Sequence, residues 1–223
     1  MIGDLLPDFV ATEVAYDDPP EARLEPAEEA VLARAVDKRR REFTTVRHCA
    51  RAALARLDVP YRPLVPGLRG APSWPDGVVG SMTHCDGFRA AAVARAGIPA
   101  SVGTLASVGI DAEPALPLPE GVLEAVALPV EQKRLADLAA THPHTPWDRL
   151  LFSAKESVYK AWFPLTGIFL DFSEAELDLS PDGTFTALLL VPGPVVGGRQ
   201  LDGFDGRWAV RNGLLATAIA VHP

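Results

Sequence analysis

Residues 145–166, TPWDRLLFSAKESVYKAWFPLT, constrain this chain more than any other stretch. Trp147, Leu150, Leu151, Ala154, Val158, Ala161 and Trp162 recur at spacings of three and four, which places them on one side of an α-helix. Phe152 and Tyr159 carry the apolar surface further round, so this helix needs a core to lie on. Thr145 is the expected N-cap, Pro146 the first helical residue, Asp148 an acidic capping-box partner, and Pro164 the expected stop. Glu156 and Lys160 sit one turn apart, nearly opposite the centre of the apolar stripe, with Lys155 at its flank.

Strands are signalled by turn residues between short apolar segments. VVGSMTHC and FRAAAVAR flank Asp86-Gly87, ELDLS and TFTALLLV flank Pro181-Asp182-Gly183, and GRWAVR and LLATAIAV flank Asn212-Gly213, which predicts three hairpins. SVGIDAEP, 107–114, reads as a further strand. From Leu24 to Leu57 the pattern is helical again, with an apolar stripe of Phe43, Val46, Ala50, Leu54 and Leu57, as one helix or as two with a break near Lys38. Residues 60–77 and 114–129 read as loops rich in proline, with a short helical piece around Glu131 to Ala140 between the second loop and Thr145. The order predicts an α+β fold whose halves, 1–105 and 106–223, divide near residue 105. No direct internal repeat is visible in the residues.

Charge is distributed unevenly. The chain of 223 residues carries a net charge of −8, yet residues 38–56 hold seven basic residues against the single acid Glu42. One basic helix on an acidic protein suits a compact anionic ligand better than a long nucleic acid, which needs a broad basic face. Arg40, Arg47 and Arg51 share a stripe of that helix, with Arg39 beside them. The longest uncharged stretches, 96–110 and 183–198, are short of the roughly 18 apolar residues of a membrane helix and are broken by proline or glycine. MIGDLLPDFV lacks the basic-then-apolar order of a secretory signal, so a cytoplasmic location is expected. Cys49 and Cys85 have no metal-site spacing and are expected to be buried thiols.

Within SVGIDAEP, strand alternation points Gly109, Asp111 and Glu113 to one face and Val108 and Ile110 to the other. Two carboxylates about 6 to 7 Å apart repel unless a cation lies between them. Oxygen ligands without His or Cys companions favour magnesium, with manganese as the alternative. Each signal alone is commonplace: Glu156 before Lys160 is an ordinary helix pair, and His84 alone is more often a buried, hydrogen-bonded histidine. Together, a basic helix, an acidic pair and a Lys-Glu-x-x-x-Lys helix point to metal-assisted chemistry on a phosphate.

Four segments in this order resemble the motifs of the Sfp-type 4′-phosphopantetheinyl transferases, closest to the actinobacterial members that activate polyketide and nonribosomal peptide synthases. They are KRRREFTTVRHCAR, GSMTHC, VGIDAEP and WDRLLFSAKESVYKAWFPLTG, and the resemblance spans nearly the whole chain. It implies a monomer of two similar halves related by a pseudo-two-fold axis, each a small antiparallel sheet packed on a long helix, with coenzyme A in the cleft between them. Asp111, Glu113 and Glu156 would hold magnesium; Arg39, Arg47 and His84, helped by Thr83, would hold the phosphates. Lys155 and Lys160 would contact the pyrophosphate, and Phe152 and Tyr159 would line the pantetheine path. Where some relatives carry a phosphate-binding lysine this chain has Pro66-Gly67, and Arg69 is the candidate replacement. The implied reaction transfers phosphopantetheine from coenzyme A to a serine of apo acyl or peptidyl carrier proteins, giving 3′,5′-ADP, with Glu156 as general base and Lys160 as fixed charge. Neither nucleic acid nor membrane is an expected partner. A magnesium-dependent phosphohydrolase acting on a nucleotide such as coenzyme A is the alternative, and an RNA-binding module using the arginine helix a distant one.

Overall fold

The basic helical region folds as two helices, α1 (Pro26–Val31) and α2 (Asp37–Ala55), because the chain turns over residues 32–36. These coordinates are a computed structural model that describes residues 1–97 and 103–223, so part of the uncharged stretch 96–110 lies outside the described residues. Phe43, Val46, Ala50 and Leu54 are all buried, as the stripe on α2 requires. They rest on a sheet of β1 (Ala11–Ala15), β3 (Phe88–Ala96) and β2 (Val78–Cys85), paired antiparallel in that order, with the two-residue β4 (Thr104–Leu105) parallel to β3.

A second sheet has the order β5-β11-β10-β7-β6 and is antiparallel throughout. Its strands are β5 (Ser107–Pro114), β6 (Ala175–Leu179), β7 (Thr184–Leu189), β10 (Gly203–Arg211) and β11 (Leu214–Val221). The small hairpin of β8 (Val195–Val196) and β9 (Arg199–Gln200) stands apart. Asn212 and Gly213 both adopt left-handed backbone, φ 53° and 76°, which is why Asn-Gly closes the β10–β11 hairpin.

Alternation assigns each face of β3. Ala91 and Val93 point to the α2 side, whereas Phe88, Ala90, Ala92 and Ala94 join Val108, Ile110, Ala112, Ala216 and Ala218 in an apolar layer between the two sheets. The far face of the second sheet is covered by α5 (Trp147–Thr166), whose predicted stripe is entirely buried. Gly109 permits the closest approach: a Cβ there would lie 2.0 Å from the Ser157 carbonyl and 2.8 Å from the Ala161 amide. The helix therefore seats directly on the backbone of β5.

Three local expectations are corrected. Thr145 does not cap α5, which starts at Trp147 with Pro146 in the cap position; the Asp148 carboxylate instead accepts the Leu118 amide at 2.7 Å. Pro164 does not end the helix: so near the C-terminus it removes a single internal hydrogen bond, and the helix runs on to Thr166. Closure comes at Gly167, φ 67°, whose amide bonds the Phe163 carbonyl at 2.8 Å. The proline-rich stretch 114–129 also holds a short helix, α3 (Val122–Val126), ahead of α4 (Pro129–Thr141). Cys49 and Cys85 are free and buried.

Candidate active site

β2 and β5, the edge strands of their sheets, run side by side, and side chains close the seam. Ser81 Oγ accepts the Ile110 amide at 3.1 Å and Thr83 Oγ1 accepts the Ala112 amide at 3.2 Å. Thr83 then donates its only hydroxyl proton to Asp111 Oδ1 at 3.1 Å. In this arrangement the hydroxyl proton of Thr83 is directed at a carboxylate.

Asp111 is 5% exposed. Lys160 on α5 reaches the same Oδ1 at 2.6 Å, and among the described residues Oδ2 is buried with no hydrogen-bond partner. A buried carboxylate oxygen without a donor is costly and marks a position where a cation would be stabilised. Glu156, one helical turn before Lys160, has its carboxyl pushed up by burial, with Lys160 opposing and Asp111 adding to the shift. Burial likewise raises Glu113, Asp111 reinforces it, and Arg149 pulls the other way. Both neighbours thus sense the Asp111 charge. Among the described residues no three His, Cys, Asp or Glu side chains converge as a metal cage, for a visible reason. Glu113 is drawn to Arg149 Nη1 at 3.0 Å, and the Lys160 ammonium holds the near oxygen of Asp111.

The opposite wall comes from α2 and the end of β2. Arg39 Nη1 donates to His84 Nε2 at 2.7 Å, so that nitrogen accepts and Nδ1 carries the hydrogen toward Glu42, 3.6 Å away. Burial lowers the His84 pKa; Glu42 opposes this, and Arg39, Lys160 and Arg89 add to it. Arg47 lies 3.2 Å above the Phe43 ring and donates to the Leu64 carbonyl from Nε and Nη2. Arg40 and Arg51 are engaged elsewhere, on the carbonyls of Leu32 and Arg23.

Arg69 occupies a left-handed position, φ 52°, and lies 4.9 Å above the Phe169 ring, which itself packs on Tyr159. The fold therefore unites Arg69 with Tyr159, whereas Phe152 packs on Phe172.

Lys155 lies on the other side of α5, among α4 and residues 172–175. It is 3% exposed, pairs with Glu131 at 2.9 Å, and donates to the carbonyls of Phe172 and Ala175 at 2.7 and 2.9 Å. All three donors of its ammonium are met inside the protein, by one carboxylate and two carbonyls. Glu131, which also accepts the amides of Leu128 and Leu177, was missed, although an acid three residues after Leu128-Pro129 is a helix-start signal. Arg149 was missed too; besides Glu113 it binds the carbonyls of Leu116 and Pro117. Glu42 was counted only as charge.

A carboxylate site facing an arginine and histidine wall across two joined sheets defines a protein that handles a phosphorylated ligand. Residues 27–94 match the 4′-phosphopantetheinyl transferase N-terminal domain, and residues 107–209 match the 4′-phosphopantetheinyl transferase superfamily. Over 225 residues the chain is 65% identical to the 4′-phosphopantetheinyl transferase Svp of Streptomyces mobaraensis, covering 99% of this chain and 89% of the relative. It is 46% identical to PptT of Mycobacterium tuberculosis, covering 99% and 98%, and 48% identical to Npt of Nocardia iowensis, covering 99% of each, both also named 4′-phosphopantetheinyl transferases. The chain belongs to the 4′-phosphopantetheinyl transferase superfamily. It is a transferase, and the phosphohydrolase alternative has no support among these relatives.

Proposed function

We propose that this chain moves the 4′-phosphopantetheine group of coenzyme A onto a serine of apo acyl or peptidyl carrier proteins and releases 3′,5′-ADP, acting as a cytoplasmic monomer. The observation that carries the reading is Asp111, with one oxygen held by Lys160 and Thr83 and the other buried and free. The halves 1–105 and 106–223 would each supply one wall. Among the described residues no helix is long and apolar enough to cross a membrane.

The donors fit a hard divalent cation: they are oxygens only, one is orphaned, and two carboxyls have raised pKa values that a cation would relieve. Asp111, Glu113 and Glu156 would hold magnesium or manganese, which when bound neutralises pyrophosphate charge. Arg39, Arg47 and His84 bind and orient the phosphates. Tyr159 and Phe152 line the pantetheine path, and Arg69 supplies the phosphate-binding cation in place of the missing lysine. Glu156 accepts the serine proton as the serine oxygen bonds to the β-phosphorus, a role its raised pKa suits. The phosphorus–oxygen bond to 3′,5′-ADP breaks, and Lys160 offsets the negative charge that develops.

The test is to mix the protein with coenzyme A, magnesium and a panel of apo carrier proteins and to weigh the products. A gain of one phosphopantetheine on the carrier is expected. No gain on any carrier, or cleavage of coenzyme A without one, overturns the reading.

A further inference from the structure

Arg47 is held, and its holder is held in turn. Its guanidinium donates Nε and Nη2 to the Leu64 carbonyl at 3.2 and 3.1 Å, and Phe43 lies under its face. Arg47 is buried, 6% exposed, and among the described residues no hydrogen bond from Nη1 to protein is seen, so one edge of the fork is fixed and the other has no protein acceptor. The direction of that edge therefore depends on where the Leu64 carbonyl stands.

Leu64 lies in a segment without strand or helix, so no backbone ladder fixes it. Its amide is taken by Glu28 Oε1 at 2.9 Å. Glu28, on α1, is fully buried, and its carboxylate also accepts the Tyr61 hydroxyl and the Glu25 amide. Arg51, stacked on the Tyr61 ring at 4.2 Å, brings a guanidinium to 3.7 Å from Oε2. A buried carboxylate with this many donors is an unyielding anchor. It also matters electrostatically. Burial lowers the Arg47 pKa to about 10, and the Glu28 charge is the largest influence opposing that fall.

The geometry points to Glu28 as the positioning residue for Arg47: through the Leu64 peptide unit, a carboxylate that never meets substrate sets the aim of the phosphate-binding arginine. This rests on the proposed reading that Arg47 holds a phosphate of coenzyme A. A purely structural Glu28 would lower stability and leave recognition of coenzyme A alone.

The test compares Glu28→Asp, which keeps the charge but falls one methylene short of Leu64, with Glu28→Gln, which keeps the length but turns a donor toward donors. Each is combined with Arg47→Ala, and KM for coenzyme A, kcat and melting temperature are measured. Each Glu28 variant should raise KM for coenzyme A about tenfold, the effect of losing one hydrogen bond to a charged group, with kcat within about twofold. Neither should raise it further once Arg47 is alanine. A lower melting temperature with unchanged KM in whichever variant folds, or effects that multiply with Arg47→Ala, overturns the proposal. If Arg47→Ala alone leaves KM unchanged, the phosphate role of Arg47 fails first, and this positioning role falls with it.

Discussion

The Thr83 hydroxyl donates to Asp111 Oδ1 at 3.1 Å while accepting the amide of Ala112, the next residue along the same strand. One oxygen thus joins two sheets and turns a carboxylate. With Lys160 on the same Oδ1, the free Oδ2 is presented in a single orientation. Thr83→Val should lower kcat about tenfold through misplaced Asp111, leave KM for coenzyme A within about twofold, and cost about 1 to 3 kcal/mol for the orphaned amide. Thr83→Ser should recover most of both. A large KM effect with normal kcat would return Thr83 to the phosphates.

The two lysines of α5 should part company. Lys155→Ala removes one member of a buried pair and is expected to cost about 3 to 5 kcal/mol in denaturant unfolding. Lys160→Ala should cost less in unfolding, because its ammonium is partly exposed while the Asp111 carboxylate it leaves is buried, and should lower kcat by about 10² to 10³, the scale of a preorganised charge at a reacting phosphate. A Lys155→Ala protein as stable as the parent, yet poor in binding coenzyme A, would reverse the assignment made here.

Glu156 carries a charge that its surroundings resist, since burial and Asp111 both push its carboxyl up. Glu156→Gln should abolish transfer, yet the metal-free variant should melt higher than the parent at neutral pH, because the buried charge is gone. Near-normal turnover in that variant would remove Glu156 from the chemistry, and an unchanged melting point would mean that its charge is not resisted.

His84 should make folding sensitive to acid. Its folded pKa lies below the ordinary 6.5, so just under that pH the unfolded chain binds a proton that the folded chain does not. Stability is therefore whole above 6.5 and falls as pH drops toward the folded value. The groups facing the ring are Glu42 and Arg39 from α2, Arg89 from β3 and Lys160 from α5. Protonation would also set Nε2 against the Arg39 donor. Unfolding curves of the parent and His84→Gln across this range should diverge below 6.5; parallel curves would refute the shift.

Periodicity made part of this site legible. Asp111 and Glu113 share a face because a strand alternates, and the α5 stripe is buried because its spacing is helical. Other features depended on partners far along the chain. Lys155 and Lys160 are five residues apart, about 140° around a helix. Which of them meets Asp111 and which meets Glu131 depends on α4 and residues 172–175, and no local pattern reports that. Glu113 likewise looks like a free ligand until Arg149 folds against it, bringing carbonyls 116 and 117 along. Thr145 and Pro164 misled for a simpler reason: end signals are weak, and packing of α5 against the sheet outweighed them.

Gly109 carries a last consequence. Because α5 rests on bare backbone there, the gap between the Asp111 strand and the helix bearing Glu156 and Lys160 is set by main chain against main chain, with no side chain to flex as a shim. Aliphatic residues elsewhere beneath the helix can trade volume with one another and keep the gauge. A single added methyl at 109 would wedge the helix outward and detune all three groups together, although position 109 itself touches no reacting atom.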